Sequence, residues 1–196
     1  MKDDILNYAM KLGATDAKII PTADVMIENR VVLKCKYRCR EYGMNWSCPP
    51  FVPSVEEFRS IMKEYKYAMV AKFQSSAKVS GTAVGTHGDA IRELDDFYGT
   101  WNEDKRKATV ALLELEKFAF NKGFTFALGL RAGACTLCSK CDITKPCVHP
   151  EMLRFAPEAV GVNLVGTLKN VGLALDFPVG KDDNNSASLV MMLLIT

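Results

Sequence analysis

The residues best equipped for chemistry are seven cysteines that fall into two close groups. Cys35-x3-Cys39-x8-Cys48, followed by Pro49-Pro50, forms the first. Cys135-x2-Cys138-x2-Cys141-x5-Cys147 forms the second, and positions 49 to 134 hold no cysteine. Buried structural cysteines behave as small hydrophobes and have no reason to cluster. Thiolates that share a metal do, so the grouping itself makes all seven candidate metal ligands.

The second group is the sharper signal. Two successive two-residue gaps let three thiolates wrap three corners of one cubane, as in the C-x2-C-x2-C run of bacterial ferredoxins. Gly133 and Ala134 ahead of them leave backbone N–H groups unshielded for cluster sulfur. The fourth cysteine comes two residues later than in ferredoxins, with Pro146 before it instead of a proline after it. A 4Fe-4S iron–sulfur cluster is the first expectation. Zinc is the alternative, although tetrahedral zinc sites favour two separated C-x2-C knuckles.

In the first group, three thiolates could hold a cluster with one iron left open, or a metal whose fourth ligand comes from elsewhere. Its Cys48-Pro49 pair also allows a crossed arrangement. Cys48 would then complete a site with Cys135, Cys138 and Cys141, and Cys147 would join Cys35 and Cys39. Two separate sites are equally compatible with the spacing. His149 is the best candidate for an eighth ligand, though a lone histidine is more often a packing residue. Tyr42, Trp46 and Phe51 are expected to pack around the first loop and keep water off it.

The remaining sequence narrows the class. The chain has 196 residues, 48% apolar and 24% charged, with 25 basic and 23 acidic residues interspersed and a formal charge of +2. No basic stripe supports nucleic-acid binding. The longest apolar run, Leu189 to Ile195, is too short to span a bilayer, and Met1-Lys2-Asp3-Asp4 does not open like a signal peptide. The expectation is one metal-binding domain over 1–196, with residues 131–157 as a cysteine-rich sublobe, in the cytoplasm, where thiols stay reduced. No phosphate-binding glycine fingerprint or defensible Ser/His/Asp set is present.

The elements that must position these groups read as follows. A helix carries Ile5, Ala9 and Leu12 and stops at Gly13, and a strand spans Ala17 to Ile20. Val25 to Ile27 and Val31 to Leu33 read as a hairpin. Ser54 and Glu57 form a capping box for a helix to about Tyr65. Tyr67 to Phe73 is a strand and residues 74–90 a polar loop. Thr100 and Glu103 form a second capping box, for a helix to Asn121. Strand Phe124 to Leu130, helix Pro157 to Asn170, strand Leu173 to Phe177, a turn at 181–186 and strand Leu189 to Ile195 follow. This alternation predicts an α/β or α+β sandwich with a mixed sheet and both cysteine loops at strand ends.

Several motifs together resemble a bacterial and archaeal family described as predicted metal-binding proteins, a cysteine-rich domain of unknown function. They are Cys35 with Cys39-x2-Tyr42-Gly43-x2-Trp46-x-Cys48-Pro49-Pro50; Leu115-Glu116-x2-Ala119-Phe120-x2-Gly123; Cys135-x2-Cys138-x2-Cys141-x5-Cys147-x2-Pro150; and Pro157-Glu158-Ala159-x-Gly161-Val162. Val148 departs from the arginine that often follows the fourth cysteine in the family. The resemblance implies metal binding and an intracellular home, but no substrate. Three functions remain open: an electron-transfer or redox accessory protein working with a partner protein, an enzyme using an open iron as Lewis acid, and a zinc-stabilised interaction module.

Overall fold

The computed structural model of the protein describes residues 1–78, 87–173 and 186–196. Its centre is a four-stranded sheet in the order β1-β2-β4-β3, formed by β1 (Ala14–Pro21), β2 (Tyr67–Lys78), β3 (Leu128–Leu130) and β4 (Ser186–Ile195). Every neighbouring pair is antiparallel. The fold is of the α+β class.

Both faces of the sheet are covered, which explains the unbroken apolar run of β4. Side chains alternate along a strand. Met69, Ala71, Phe73, Leu189, Met191 and Leu193 therefore point to one face, where they meet Ile5 and Ala9 of α1 (Lys2–Lys11) and Leu112, Leu115 and Ala119 of α4 (His87–Asn121). Ala68, Val70, Val190, Met192 and Leu194 point to the other face. There they meet Phe58 and Met62 of α3 (Val55–Met62), Val160 of a 3-10 turn (Pro157–Val160), and Leu164 and Leu168 of α5 (Leu164–Asn170). Leu112 and Leu115 are fully buried, and burial of such a side chain contributes roughly 1.5–3 kcal/mol.

The Ser54 capping box is present. The Glu57 N–H donates to Ser54 Oγ at 3.2 Å and the Ser54 N–H donates to Glu57 Oε2 at 2.7 Å. The expected hairpin is not. Asn29–Arg38 form helix α2, and Ile27 makes only an isolated bridge to Val162. The Val31-Val32-Leu33 run resembles a strand, but Val31 is buried, Val32 half-buried and Leu33 exposed, as on a helix packed along one line.

Thr100 does not start a helix. It lies inside α4, which begins at His87. The loop expected over 74–90 is β2 as far as Lys78 and α4 from His87, and the positions between lie outside the described residues. The strand expected over Phe124 to Leu130 shrinks to β3.

The helix expected from Pro157 to Asn170 is interrupted at Gly161, which takes φ +91°. A Cβ at Gly161 would come within 2.8 Å of Val55 Cγ1, so this break is where α3 closes onto the chain. The strand expected over Leu173 to Phe177 and the turn at 181–186 lie outside the described residues, except for Leu173, which is buried without being in a strand, and Ser186, the first residue of β4.

Candidate metal centre

The second cysteine group leaves the sheet directly from β3, as a loop tied shut at its base. The Arg131 N–H donates to the Phe155 carbonyl at 2.9 Å. One carboxylate, Glu116 on α4, accepts from the Gly129 N–H in β3 and from Arg154 on the returning strand of the loop, with Nε at 2.7 Å and Nη2 closing the second half of the fork. Inside the loop, Asp142 Oδ1 accepts from the Thr144 N–H at 3.0 Å and its hydroxyl at 2.6 Å, which turns the chain between Cys141 and Cys147.

Cys135, Cys138, Cys141 and Cys147 line one small cavity, with His149 at its edge. Burial pushes the Cys138 thiol up, and the charges of Cys135, Cys141 and Cys147 push it further. Among the described residues, no three His, Cys, Asp or Glu side chains close around a point as a finished single-ion shell. The four thiols share a space whose donors are those of iron–sulfur and zinc sites.

The first group leaves a helix, not a strand. Cys35 lies in the last turns of α2, Cys39 caps it, and Cys48 is buried in the turn that follows. Cys48 is pushed up to about 12, chiefly by burial; the Ser47 hydrogen bond opposes this, and Cys39, Glu41 and Cys35 add to it. Cys35 is raised by burial and then by Cys39. Burial and their cysteine neighbours therefore oppose the ionisation of Cys35 and Cys48. Cations that bind them must displace protons.

The two loops interlock around the backbone of one residue, Cys135. The Cys135 N–H donates to Ser47 Oγ at 2.8 Å, and Asn45 Nδ2 donates to the Cys135 carbonyl at 3.1 Å. Asn45 Oδ1 accepts from both the Ser47 N–H and its hydroxyl. Trp46 reaches over to the second loop, where its Nε1–H donates to the Lys145 carbonyl at 3.0 Å, and its ring packs on Phe51 at 4.7 Å. The groups are neighbours: Cys147 and His149 line the same cavity as Cys135, Cys138 and Cys141, while Cys39 and Cys35 act electrostatically on Cys48.

Two cations missed by sequence reasoning stand between the groups. Arg131 is 1% exposed; its Nη2 donates to Thr136 Oγ1 at 3.0 Å, and among the described residues its Nε and Nη1 find no well-formed hydrogen bond, although the Cys135 side chain is close enough to interact with the guanidinium. Burial pushes its guanidinium down, and Cys135 and Cys48 work against that. Lys105, 8% exposed, is pushed down to about 8 by burial and by Arg131, with Glu41, Cys135 and Cys48 opposing. Among the described residues, neither is in an ion pair with a carboxylate. Buried charges are ordinarily paired. Here the side chains at hand, besides the Glu41 carboxylate, are the Cys48 and Cys135 thiols.

The family described as predicted metal-binding protein (DUF2284) matches residues 18–195, a span that contains all seven cysteines. The chain belongs to this family. No curated protein and no solved structure matches it. Membership makes it a predicted metal-binding protein, and the family description names no particular metal. All seven cysteines are free thiols, and no helix among the described residues is long and apolar enough to cross a membrane.

Proposed function

We propose that this member of the family holds a 4Fe-4S iron–sulfur cluster on Cys135, Cys138, Cys141 and Cys147, holds a second metal on Cys35, Cys39 and Cys48, and acts in the cytoplasm as an electron-transfer or redox accessory to a partner protein. The observation that carries the reading is the pair of buried cations, Arg131 and Lys105, that among the described residues form no ion pair with a carboxylate and are set against Cys48 and Cys135, with Glu41 also acting on Lys105. A metal–thiolate centre is anionic, and these cations supply the balancing charge in a space that excludes water.

Bound there, a cluster supplies reversible one-electron transfer. The chain's own residues do the rest. Glu116 and Arg154 hold the base of the loop. Ser47 and Asn45 fix the Cys135 peptide. Trp46 and Leu153 close the cavity against solvent.

A second reading, an enzyme with an open metal position at the three-thiol group, is favoured by a cavity lined by Lys34, beside Cys35. The test is iron, zinc and acid-labile sulfide analysis with electron paramagnetic resonance on protein purified without oxygen. Iron and sulfide at roughly eight each per chain support two cubanes. Stoichiometric zinc without sulfide removes the redox reading in favour of a zinc-stabilised interaction module.

A further inference from the structure

A cavity of about 450 Å³ opens where β3 stops. β3 covers β4 only from Met192 to Leu194. The preceding residues of β4, Ala187 to Val190, line the cavity, and no β3 backbone covers them. α4 supplies an aromatic wall of Phe97, Tyr98 and Trp101, and α2 and the Pro157–Val160 turn close the far side. The volume falls in the range of small-molecule sites, roughly 300–1,000 Å³, which are apolar with a few placed polar groups.

One polar atom in this apolar space is left without a role. Glu158 lines the cavity, and its Oε2 is buried with no hydrogen-bond partner. Burial pushes the Glu158 carboxyl up, while its own backbone N–H and Lys34 pull it back. Lys34 also lines the cavity, but among the described residues it makes no ion pair with Glu158, and its exposed side chain can turn into solvent.

The aromatic wall suits a cation. Phe97 stacks on Trp101 at 5.6 Å and meets Tyr98 edge-on at 5.4 Å. One cation already uses it, since the Arg40 guanidinium sits 5.2 Å above the Tyr98 ring. Ring faces attract cations within about 6 Å, most strongly where water is excluded.

We propose that this cavity binds a small organic ammonium compound, its nitrogen donating to Glu158 Oε2 and its apolar body lying along Phe97 and Trp101. Burial alone disfavours the charged carboxyl, and an ammonium supplies both the donor and the positive charge that stabilise it as a carboxylate; a hydroxyl supplies a donor without the charge, and an anionic ligand sets like charge against it. No cysteine lines the cavity, so the site stands whether or not the metal reading does. The Cys35 thiol does feel the charge of Glu158, so the occupant would sit beside the first cysteine group.

Isothermal titration calorimetry tests this on the full chain, with benzylamine as probe and benzyl alcohol and benzoate as its neutral and anionic counterparts. Benzylamine is expected to bind at least about tenfold more tightly than benzyl alcohol, with no heat from benzoate. Glu158→Gln, neutral and of the same shape, should bring benzylamine down to the level of the alcohol and leave the alcohol unchanged. Lys34→Gln should tighten benzylamine. Val165→Trp, an exposed position on α5 at the cavity, should block both probes without touching the carboxylate. The proposal is overturned if benzylamine binds no more tightly than benzyl alcohol. Full benzylamine affinity in either Glu158→Gln or Val165→Trp overturns it as well.

Discussion

Replacing Lys105 by methionine should make the metal-free protein more stable. Lys105 falls from 10.5 to about 8 because its ammonium is buried beside Arg131. At 1.36 kcal/mol per decade this is a penalty of about 3 kcal/mol on the protonated folded state. Below pH 8 the folded and unfolded chains both carry the proton, and the fold bears the whole penalty. Between pH 8 and 10.5 the unfolded chain keeps the proton and the folded chain releases it, so the penalty fades. Above 10.5 neither carries it.

Cys48 titrates in the same region with the opposite effect, because its raised thiol weakens the fold as pH climbs. The quantity to read is therefore the difference between variant and wild type. Methionine keeps the stem that packs on Gly133, where Lys105 Cδ lies 3.6 Å from the Cβ position. Urea unfolding of chelator-treated, reduced protein from pH 6.5 to 10.5 should show Lys105→Met ahead by about 3 kcal/mol at pH 7, with the gap closing above pH 8. In metal-loaded protein the gap should shrink or reverse, because an anionic centre compensates the ammonium. A pH-independent difference, or a destabilised variant at pH 7 without metal, would refute the reasoning.

Other substitutions probe the frame around the site. Cys138→Ala should lose bound metal and lower the melting temperature, as metal analysis and calorimetry on the same preparation would report. Glu116→Ala leaves Arg154 without its carboxylate, only its Nη1 bonds to the Glu151 and Leu153 carbonyls remaining, and the Gly129 N–H without its acceptor, and should cost about 3–5 kcal/mol in urea unfolding. Ser54→Ala removes the α3 cap and should cost about 1 kcal/mol by the same assay, with metal content unchanged. Leu112→Ala, in the sheet-facing stripe of α4, should cost about 2–5 kcal/mol.

The cysteine spacing made the second group legible, since a run with two-residue gaps can fold around one space with little help. The spacing left the place of Cys147 open, and the structure puts it on the same cavity as Cys135, Cys138 and Cys141. The Asp142 turn that helps bring it there is local, but the Glu116–Arg154 closure joins residues far apart in sequence. The two capping boxes show the limit of local reading. Ser54 and Glu57 form theirs because Pro53 precedes them and the chain arrives extended. Thr100 and Glu103 have the same pattern, yet the preceding residues from His87 are already helical, so no cap is required. Arg131 could not be recognised at all. An arginine after a strand looks like a surface residue, and only the fold reveals its buried guanidinium beside Cys135. The α+β class was legible because apolar runs and periodic helices alternate. The first loop's origin was not, because three branched residues in α2 mimic a strand.

The last described strand, β4, is an interior strand of the sheet. Without residues 186–195, β2 loses its long partner, β3 has nothing to pair with, and both cores lack their central side chains. Synthesis runs from the N-terminus, so neither layer can close until those residues have been made. The second cysteine loop emerges well before them, and its root at β3 gets its register from β4. At about 5–20 residues per second, Cys135, Cys138, Cys141 and Cys147 wait on the order of seconds before the sheet can hold them in place. During that interval they are reduced thiols on a loose chain, open to oxidation and to any passing cation. Whatever these thiols meet in that interval, the sheet can fix the loop only once β4 has been made, so the geometry of the loop is set last although its cysteines are made early.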